Sequence, residues 1–299
     1  MSDPKRHAIL GAGGVGGLIG ACLAHSGAFV SLVVRREALD QHPRRIHLES
    51  PFGNIDAEVS VTASVPPVDV LWLTVKATQL EAALTTLRDP ASVRMIVPLL
   101  NGIDHVALLR TRYGFDRVTP ATIAVETERV GPGQFVQRSP FVRLNLSPSG
   151  RTLLGDTLDR LQKIGFVCNY VKSEPTLLWS KLVFLAPFAL TTTAADKTAG
   201  EILSDPIWRR LWENCVREAC SVAVAEGATA DPDAVLASTV GMPPGLRSSM
   251  QKDVEQHKTP ELDAIAGPIV RNARRHQLAV PATEELIAAV ERRSGVRGS

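Results

Sequence analysis

Short apolar runs alternate with helix-like segments through the first half of the chain. The runs are brief and rich in Val, Ile and Leu, as buried strands are, and they lie at 6–10, 28–34, 68–76 and 93–101. Helical patterns lie between them, at 14–26, 78–88 and 104–112. Two alternating runs around a Pro/Gly/Asn turn predict a hairpin over 45–59. This alternation predicts a doubly wound, largely parallel α/β sheet.

Further along, the pattern changes from mixed to helical. Residues 118–146 alternate around the turn Gly131-Pro132-Gly133, and a helix near 152–164 and a strand near 166–171 follow. From Pro175 onward almost no strand pattern is present. We therefore expect α/β architecture with two domains, a Rossmann-type domain over 1–172 and an all-helical domain over 173–299.

Start signals place the helices of the second half. Ser204 or Asp205 is suited to cap a helix that has Pro206 in its first turn and ends at Gly227. Thr259 as the cap and Pro260 as the first helical residue predict a second helix over 259–277. An amphipathic helix over 282–293 is predicted to end the domain.

Composition narrows the class of protein. The 299 residues are 44% hydrophobic and 21% charged, with a net charge of +2, which indicates neither nucleic acid nor an anionic membrane as a partner. No run reaches 18 uncharged apolar residues, so we expect no membrane span. The four cysteines form no CxxC and have no His at metal-ligand spacing, which predicts reduced thiols, no metal and a cytoplasmic protein.

The first strand runs into a glycine-rich loop. The residues Gly11, Gly13, Gly14, Val15 and Gly16 belong to a G-x-G-x-x-G that follows a predicted strand and opens a predicted helix. Gly11 allows the tight turn, Gly13 lets the backbone approach a pyrophosphate, and Gly16 lets helix and strand pack closely. The pattern predicts a dinucleotide site, with a glycine-rich turn that binds no ligand as the alternative.

The residues after the second strand bear on which dinucleotide binds. NAD enzymes tend to carry an acidic residue there, which bonds the ribose 2′-hydroxyl. This chain has Arg35 and Arg36, whose guanidinium groups suit a 2′-phosphate. We therefore predict NADPH rather than NADH, although Glu37 can still turn toward the ribose. Exposed loop arginines without a ligand are the alternative.

A lysine interrupts the apolar stretch LLWSKLVFLAPFAL at 177–190. Burying an ammonium group without a partner costs several kcal/mol and depresses its pKa. Lys181 is therefore expected to be paired, to reach the surface along a narrow polar stripe, or to have a chemical role. Pro187 in the same stretch predicts a kink or the end of the helix.

Taken together, these features resemble the ketopantoate reductases (2-dehydropantoate 2-reductases). The resemblance runs nearly the full length of the chain, with segments in the family's order and at similar spacing. Besides the glycine loop, these segments are TVKATQ at 74–79, NG at 101–102, GPGQFV at 131–136, LWSKL at 178–182, GEIL at 200–203, SSMQKD at 248–253 and ELDAIAG at 261–267. It implies an active site between the two domains.

The resemblance also implies roles for individual residues. Lys181 would be the general acid that protonates the ketone oxygen, and Glu261 would lie beside the lysine and the substrate hydroxyl. Ser249 and Asn101 would hydrogen-bond substrate or nicotinamide ribose, and Lys76 would face the cofactor. From the residues alone, a structural role is the favoured explanation of Glu261, because it complements the helix dipole, and the others fit ordinary structural positions.

The chain departs from the family at three positions. Family members commonly have asparagines where this sequence has Leu185, Ala189 and Ala199, so a more apolar pocket is implied. Thr191, Thr192 and Thr193 are candidates to restore polarity on the same helix.

The expected function is NADPH-dependent reduction of a 2-keto acid, by default ketopantoate to pantoate. The alternatives are a more apolar keto acid or carbonyl substrate, and a non-catalytic NADPH-binding regulator. A homodimer is compatible with the sequence but not required by it.

Overall fold

A computed structural model describes residues 5–295 of the chain. The chain divides into two compact units. The α/β unit comprises Met1–Leu100 and His105–Lys172, and the helical unit comprises Ser173–Ser299 together with the short segment Asn101–Asp104. That segment follows a strand of the α/β unit in sequence but groups with the helices by its contacts.

A five-stranded parallel sheet forms the centre of the α/β unit. Its strands, in spatial order β5-β2-β1-β6-β7, are β1 (Arg6–Leu10), β2 (Phe29–Val33), β5 (Ser60–Thr62), β6 (Val68–Leu73) and β7 (Val93–Pro98). The order reverses between β1 and β6, and in open α/β sheets ligands bind outside the carboxyl ends of the strands at such a switch point. The glycine loop follows β1, and Lys76 follows β6, so both lie at this edge.

Two smaller sheets complete the unit. One has the order β4-β3-β10-β9, and its strands are β3 (Arg45–Glu49), β4 (Ile55–Glu58), β9 (Thr127–Gly131) and β10 (Gln134–Gln137). The other has the order β12-β11-β8, and its strands are β8 (Ala121–Ala124), β11 (Val142–Leu146) and β12 (Phe166–Tyr170). The predicted hairpin is present as the antiparallel pair β3–β4, with Ile46 opposite Ala57.

Four helices cover these sheets: α1 (Gly14–His25), α2 (Leu80–Leu84), α3 (Asp104–Tyr113) and α4 (Arg151–Ile164). Both faces of the parallel sheet are buried, as the β1 side chains show. Ile9 packs into the core that contains α1 and α4, whereas Ala8 and Leu10 pack into the core that contains α2. This two-sided burial explains why the central strands read as unbroken apolar runs rather than as alternating ones.

The helical unit has no strand among its described residues. Its helices are α5 (Glu174–Ala195), α6 (Ala199–Ser204), α7 (Pro206–Ala225), α8 (Pro232–Ala237), α9 (Ser249–Glu255), α10 (Leu262–Arg275) and α11 (Pro281–Ser294). By length and composition α5 could cross a membrane, but 67% of its most apolar window is buried. It packs against α7, α9, α10 and α11, so it is the core helix of this unit.

Two sequence predictions need correction, and one of two alternatives for Pro187 is excluded. The helix expected over 78–88 is a 3₁₀ turn at Ala77–Gln79 followed by the single short helix α2. The helix expected from Thr259 begins instead at Leu262, because the chain is still non-helical at Glu261, with φ −81° and ψ 42°. Pro187 does not end its helix, since α5 continues to Ala195.

Candidate active site

The glycine loop forms a tight turn between β1 and α1. Gly11 has φ of +110°, a conformation that an L side chain rarely adopts, and its carbonyl accepts hydrogen bonds from Gly13 N (2.8 Å) and from Thr74 Oγ1 (2.8 Å). A Cβ on Gly16 would lie 2.1 Å from the Gly11 carbonyl oxygen, so Gly16 must lack one. The loop conformation is therefore set by its glycines and by a hydroxyl from the end of β6.

Two further glycines of this segment are explained by the second sheet. A Cβ on Gly14 would lie 2.5 Å from the carbonyl oxygen of Thr127 on β9, and a Cβ on Gly17 would overlap the ring of Phe135 on β10. The sequence identified these glycines but not this reason for them. The GPGQFV segment at 131–136 was the available signal, because it places Phe135 in a strand.

The loop fits the pyrophosphate of a dinucleotide. A Cβ built on the exposed Gly13 would meet no heavy atom within 4 Å, so the backbone there is open to a ligand. The first turn of α1 contains no acidic residue. N–H groups of a helix's first turn have no partner within the helix, and the positive end of the helix dipole favours phosphate. Val15 lies in this turn and is partly buried.

The two basic residues predicted for cofactor binding lie at the same edge of the sheet. Arg35 follows β2, is exposed, and precedes a 3₁₀ turn at Arg36–Ala38. Glu37 within that turn is also exposed. Lys76 follows β6, is partly buried, and precedes the 3₁₀ turn at Ala77–Gln79. Parallel strands end at one edge of their sheet, so these residues and the glycine loop share it.

In the helical unit, three of the predicted site residues form a hydrogen-bonded row. Lys181 Nζ donates to Asn101 Oδ1 at 2.9 Å, and Asn101 Nδ2 donates to Glu261 Oε2 at 3.0 Å. The Glu261 residue is buried, with 6% of its surface exposed. Residues 80 and 160 positions apart are thus joined in one row.

Close packing around Gly102 holds Asn101 in this row. Gly102 has φ of +82°, and a Cβ there would lie 2.1 Å from the carbonyl oxygen of Ala264 in the first turn of α10. Arg271 on α10 also donates to both Asp104 and Asp263. The Asn101–Asp104 segment is therefore fastened to the same helix that begins just after Glu261.

Burial changes the acid–base behaviour of Lys181. Removal of its ammonium group from water lowers its pKa from 10.5 to about 8, while the charge of Glu261 acts in the opposite direction. A lysine with this pKa is still mainly protonated at pH 7 and gives up its proton more readily than an exposed lysine does. That is the property expected of a general acid that works near neutral pH.

The fourth residue predicted for this site, Ser249, stands apart from the row. It is exposed and is the first residue of α9, whereas the buried Ser248 caps that helix and accepts a hydrogen bond from Thr192 Oγ1 at 2.8 Å. Within the described ranges, no group of three His, Cys, Asp or Glu side chains is placed to hold a metal ion.

Comparison with known proteins agrees with both units. The ketopantoate reductase PanE/ApbA family model matches residues 7–150, and the model of the C-terminal region of the same family matches residues 176–294. A 2-dehydropantoate 2-reductase of Caulobacter vibrioides is 30% identical over 94% of this chain and 96% of its own length.

Solved structures show the same fold at low identity. A PanE/ApbA family ketopantoate reductase from Ralstonia eutropha JMP134 matches with a TM-score of 0.85 and 24% identity, over 97% of this chain and 98% of that one. A D-mandelate dehydrogenase, solved with NADH and anilino(oxo)acetate, matches with a TM-score of 0.85 and 21% identity over the same shares. With two family models covering most of the sequence and a curated relative matched almost end to end, the chain belongs to the ketopantoate reductase family.

Proposed function

We propose that this protein is a cytoplasmic, NADPH-dependent reductase of a 2-keto acid, with Lys181 as the proton donor. The observation that carries the proposal is the partly buried lysine itself. Its ammonium group is hydrogen-bonded to Asn101, which is bonded in turn to Glu261. The family name indicates ketopantoate, reduced to pantoate, as the reference substrate.

The proposed reaction needs a hydride and a proton. When bound at the glycine loop, a reduced nicotinamide would supply the hydride to the carbonyl carbon. As the new C–H bond forms, the electron pair of the C=O π bond moves to oxygen, and Lys181 transfers its proton to that oxygen. The products are a 2-hydroxy acid, the oxidised cofactor and a neutral lysine, which takes its next proton from solvent. The ammonium also stabilises the negative charge that develops on oxygen.

In this proposal Asn101 and Glu261 set the direction and the pKa of the Lys181 ammonium group. Asn101 uses its carbonyl oxygen on the lysine and one N–H on Glu261, so it fixes the direction in which Nζ points. Glu261 holds negative charge near the lysine and keeps the lysine pKa from falling further. Because Asn101 retains one N–H and Ser249 is exposed, both remain candidates for direct contact with substrate or ribose.

Removing the lysine amine tests its assignment. Lys181→Ala should lower kcat for keto-acid reduction by ~10²–10⁴-fold, the usual contribution of a general acid. Cofactor affinity, followed by fluorescence titration, should stay near the parent value. Lys258→Ala is the matched control, because Lys258 is an exposed lysine of the same unit. A Lys181→Ala enzyme that keeps most of its activity would remove the proposed mechanism.

Arg35 carries the proposed preference for NADPH. Arg35→Ala should weaken NADPH binding by roughly 10-fold or more and change NADH binding little, because charge-assisted hydrogen bonds to a 2′-phosphate exist for NADPH alone. The control is Arg88→Ala, an exposed arginine that lies before β7 and so at the amino edge of the sheet. Equal loss of both cofactors would contradict the preference.

An NADPH-binding regulator without turnover is the rival proposal. The glycine loop serves both proposals, but a regulator has no use for a buried lysine whose pKa lies near neutrality. Mixing the protein with NADPH and a panel of 2-keto acids separates the two. Cofactor binding without oxidation across the whole panel would favour the regulator.

A homodimer is a further proposal. Light scattering on the purified protein would measure its mass in solution and so test it.

A further inference from the structure

The accessible face of α5 around Lys181 is apolar. Leu178, Phe184 and Leu185 are partly exposed and lie three or four residues from Lys181, so all of them share its side of the helix. The hydroxyl-bearing neighbour, Ser180, lies about 100° around the helix from Lys181. Its hydroxyl donates to the carbonyl of Leu177 at 3.1 Å. A ligand that reaches Lys181 along α5 therefore meets hydrocarbon.

The polar groups next to Lys181 are engaged with one another. Asn101 Oδ1 accepts from the lysine, and Asn101 Nδ2 donates to Glu261. The lysine N–H groups that Asn101 does not use are the donors available to the keto oxygen in the proposed reaction. Beyond the lysine, the row offers a substrate the second N–H of Asn101 and the carboxylate of Glu261, and neither of these groups belongs to the apolar face of α5.

The three threonines near the end of α5 add no polar group to the apolar face beside Lys181. Thr191, Thr192 and Thr193 are 1%, 1% and 0% exposed, so their hydroxyls lie inside the core rather than on the face beside Lys181. Thr192 donates to the Phe188 carbonyl and to Ser248, both within the unit. Ala189 and Ala199 are also buried. Leu185 is thus the position among the three family departures that a ligand can touch.

We infer that the substrate side chain is apolar and lacks a hydroxyl, as in a branched aliphatic or aromatic 2-keto acid, and that it packs on Leu178, Phe184 and Leu185. The inference rests on the proposed function, since it takes the keto oxygen to accept the proton of Lys181. A residue one turn along a helix is about 6 Å away. A four- to six-carbon group on the reacting carbonyl spans that distance.

A matched pair of substrates tests this class. Ketopantoate and 3,3-dimethyl-2-oxobutanoate differ by one hydroxyl on the side chain and share the keto acid and the branched carbon. We expect kcat/KM to be ~10–100-fold higher for 3,3-dimethyl-2-oxobutanoate, the range in which an apolar pocket discriminates against an added hydroxyl. Benzoylformate should also be reduced. Higher kcat/KM for ketopantoate would overturn the inference.

Substitutions on the apolar face of α5 test whether this face determines the preference for 3,3-dimethyl-2-oxobutanoate over ketopantoate. Leu185→Asn should lower the ratio of the two kcat/KM values by roughly 10-fold, because it offers the hydroxyl a partner. Phe184→Tyr, which adds a hydroxyl at almost constant volume, should move the ratio in the same direction and serves if the first variant folds poorly. Unchanged ratios in both variants would overturn the assignment of this face.

Leu278→Asn is the matched control. Leu278 is a partly exposed leucine that packs on the same core but follows the far end of α10. That helix has 14 residues, spans about 20 Å and begins just after Glu261. The ratio of the two kcat/KM values for the Leu278→Asn variant should match that of the parent enzyme. The two proposals fail differently: a preference for ketopantoate leaves the reductase intact, whereas binding of NADPH without oxidation by any keto acid overturns the reductase and this inference together.

Discussion

The pKa of Lys181 lies between that of a solvated lysine and that of a buried lysine without a partner. A fully solvated lysine with a pKa of 10.5 would be a poor proton donor at neutral pH, and an unpartnered buried one would lose its proton altogether. Burial lowers the pKa to about 8, and Glu261 limits the fall. Asn101 adds a neutral acceptor, which fixes the direction of Nζ without raising its pKa as a second carboxylate would.

This pKa predicts the pH dependence of the reaction. In the proposed mechanism reduction requires the protonated lysine, so kcat/KM for the keto acid should be constant below pH 8 and fall tenfold per pH unit above it. Oxidation of the hydroxy acid requires the neutral lysine, so its kcat/KM should rise with pH and level off above pH 8. Initial rates in both directions between pH 6 and 10 measure this crossing. Profiles that show no bend up to pH 10 in either direction would contradict the lowered pKa of the proposed general acid.

At the residue scale, the sequence showed which residues to single out better than it showed whether their side chains are buried or exposed. A lone charge in an apolar stretch was enough to single out Lys181, because buried cations are rare. The sequence did not determine that Thr191, Thr192 and Thr193 face the core, since helical periodicity cannot show which side of an apolar helix is covered. It also left Ser248 and Ser249 indistinguishable, although one is a buried cap and the other is exposed.

At the scale of elements, Gly102 connects the α/β sheet's last strand to the lysine. The residue follows β7 and Asn101, and its backbone contacts the first turn of α10 where a side chain would overlap Ala264. The left-handed φ of +82° turns the chain at that point. The position of Asn101 therefore depends on a glycine that touches no reactant.

Gly102→Ala tests this positioning role. We expect the free energy of unfolding to fall by about 1–3 kcal/mol, the usual cost of local backbone strain. We also expect kcat to fall about 10-fold or more, with KM for NADPH unchanged, because Asn101 no longer orients Lys181. The pH at which reduction begins to fall should shift as well, which a purely structural defect would not cause.

Gly245→Ala is the control for this variant. Gly245 is exposed, and a Cβ there would meet no heavy atom within 4 Å. Its stability and pH profile should match the parent. A Gly102→Ala enzyme that is destabilised but retains the parent's kcat and pH profile would separate the fold of this segment from catalysis and contradict the positioning role.

Element boundaries were predictable where local signals were unambiguous. Asp205 caps α7 with Pro206 in its first turn, as the pattern indicated, because side-chain capping and the missing proline N–H act within a few residues. The start of α10 was wrong by two positions. Thr259 and Pro260 are compatible with a helix start, but the tertiary contact of Glu261 with Asn101 keeps the chain non-helical until Leu262.

At the scale of the whole molecule, the two units show different degrees of predictability. The doubly wound, parallel architecture of the main sheet follows from the alternation of strands and helices together with the glycine loop after the first strand. The grouping of Asn101–Asp104 with the helical unit does not follow from any local pattern. It depends on contacts with residues 160 and more positions later, which periodicity does not report.

The buried lysine should also be visible in the stability of the molecule. Its pKa is about 8 in the folded protein and 10.5 when exposed, so between these values the unfolded chain binds a proton that the folded chain does not. Stability therefore rises with pH across this window. Below pH 8 both states are protonated, and the folded state carries a constant cost of about 3 kcal/mol.

Lys181→Met removes this titration, so we expect the stability of the parent relative to the variant to increase by up to about 3 kcal/mol between pH 7 and pH 10.5. Urea unfolding followed by tryptophan fluorescence measures it, since three of the four tryptophans, Trp179, Trp208 and Trp212, lie in the helical unit. Taking the difference cancels the titration of every other group. Lys258→Met, at an exposed lysine, should give a difference that does not change with pH. A flat difference for Lys181→Met as well would mean that Lys181 is hydrated in the folded protein, and the lowered pKa that suits it to proton transfer would be absent.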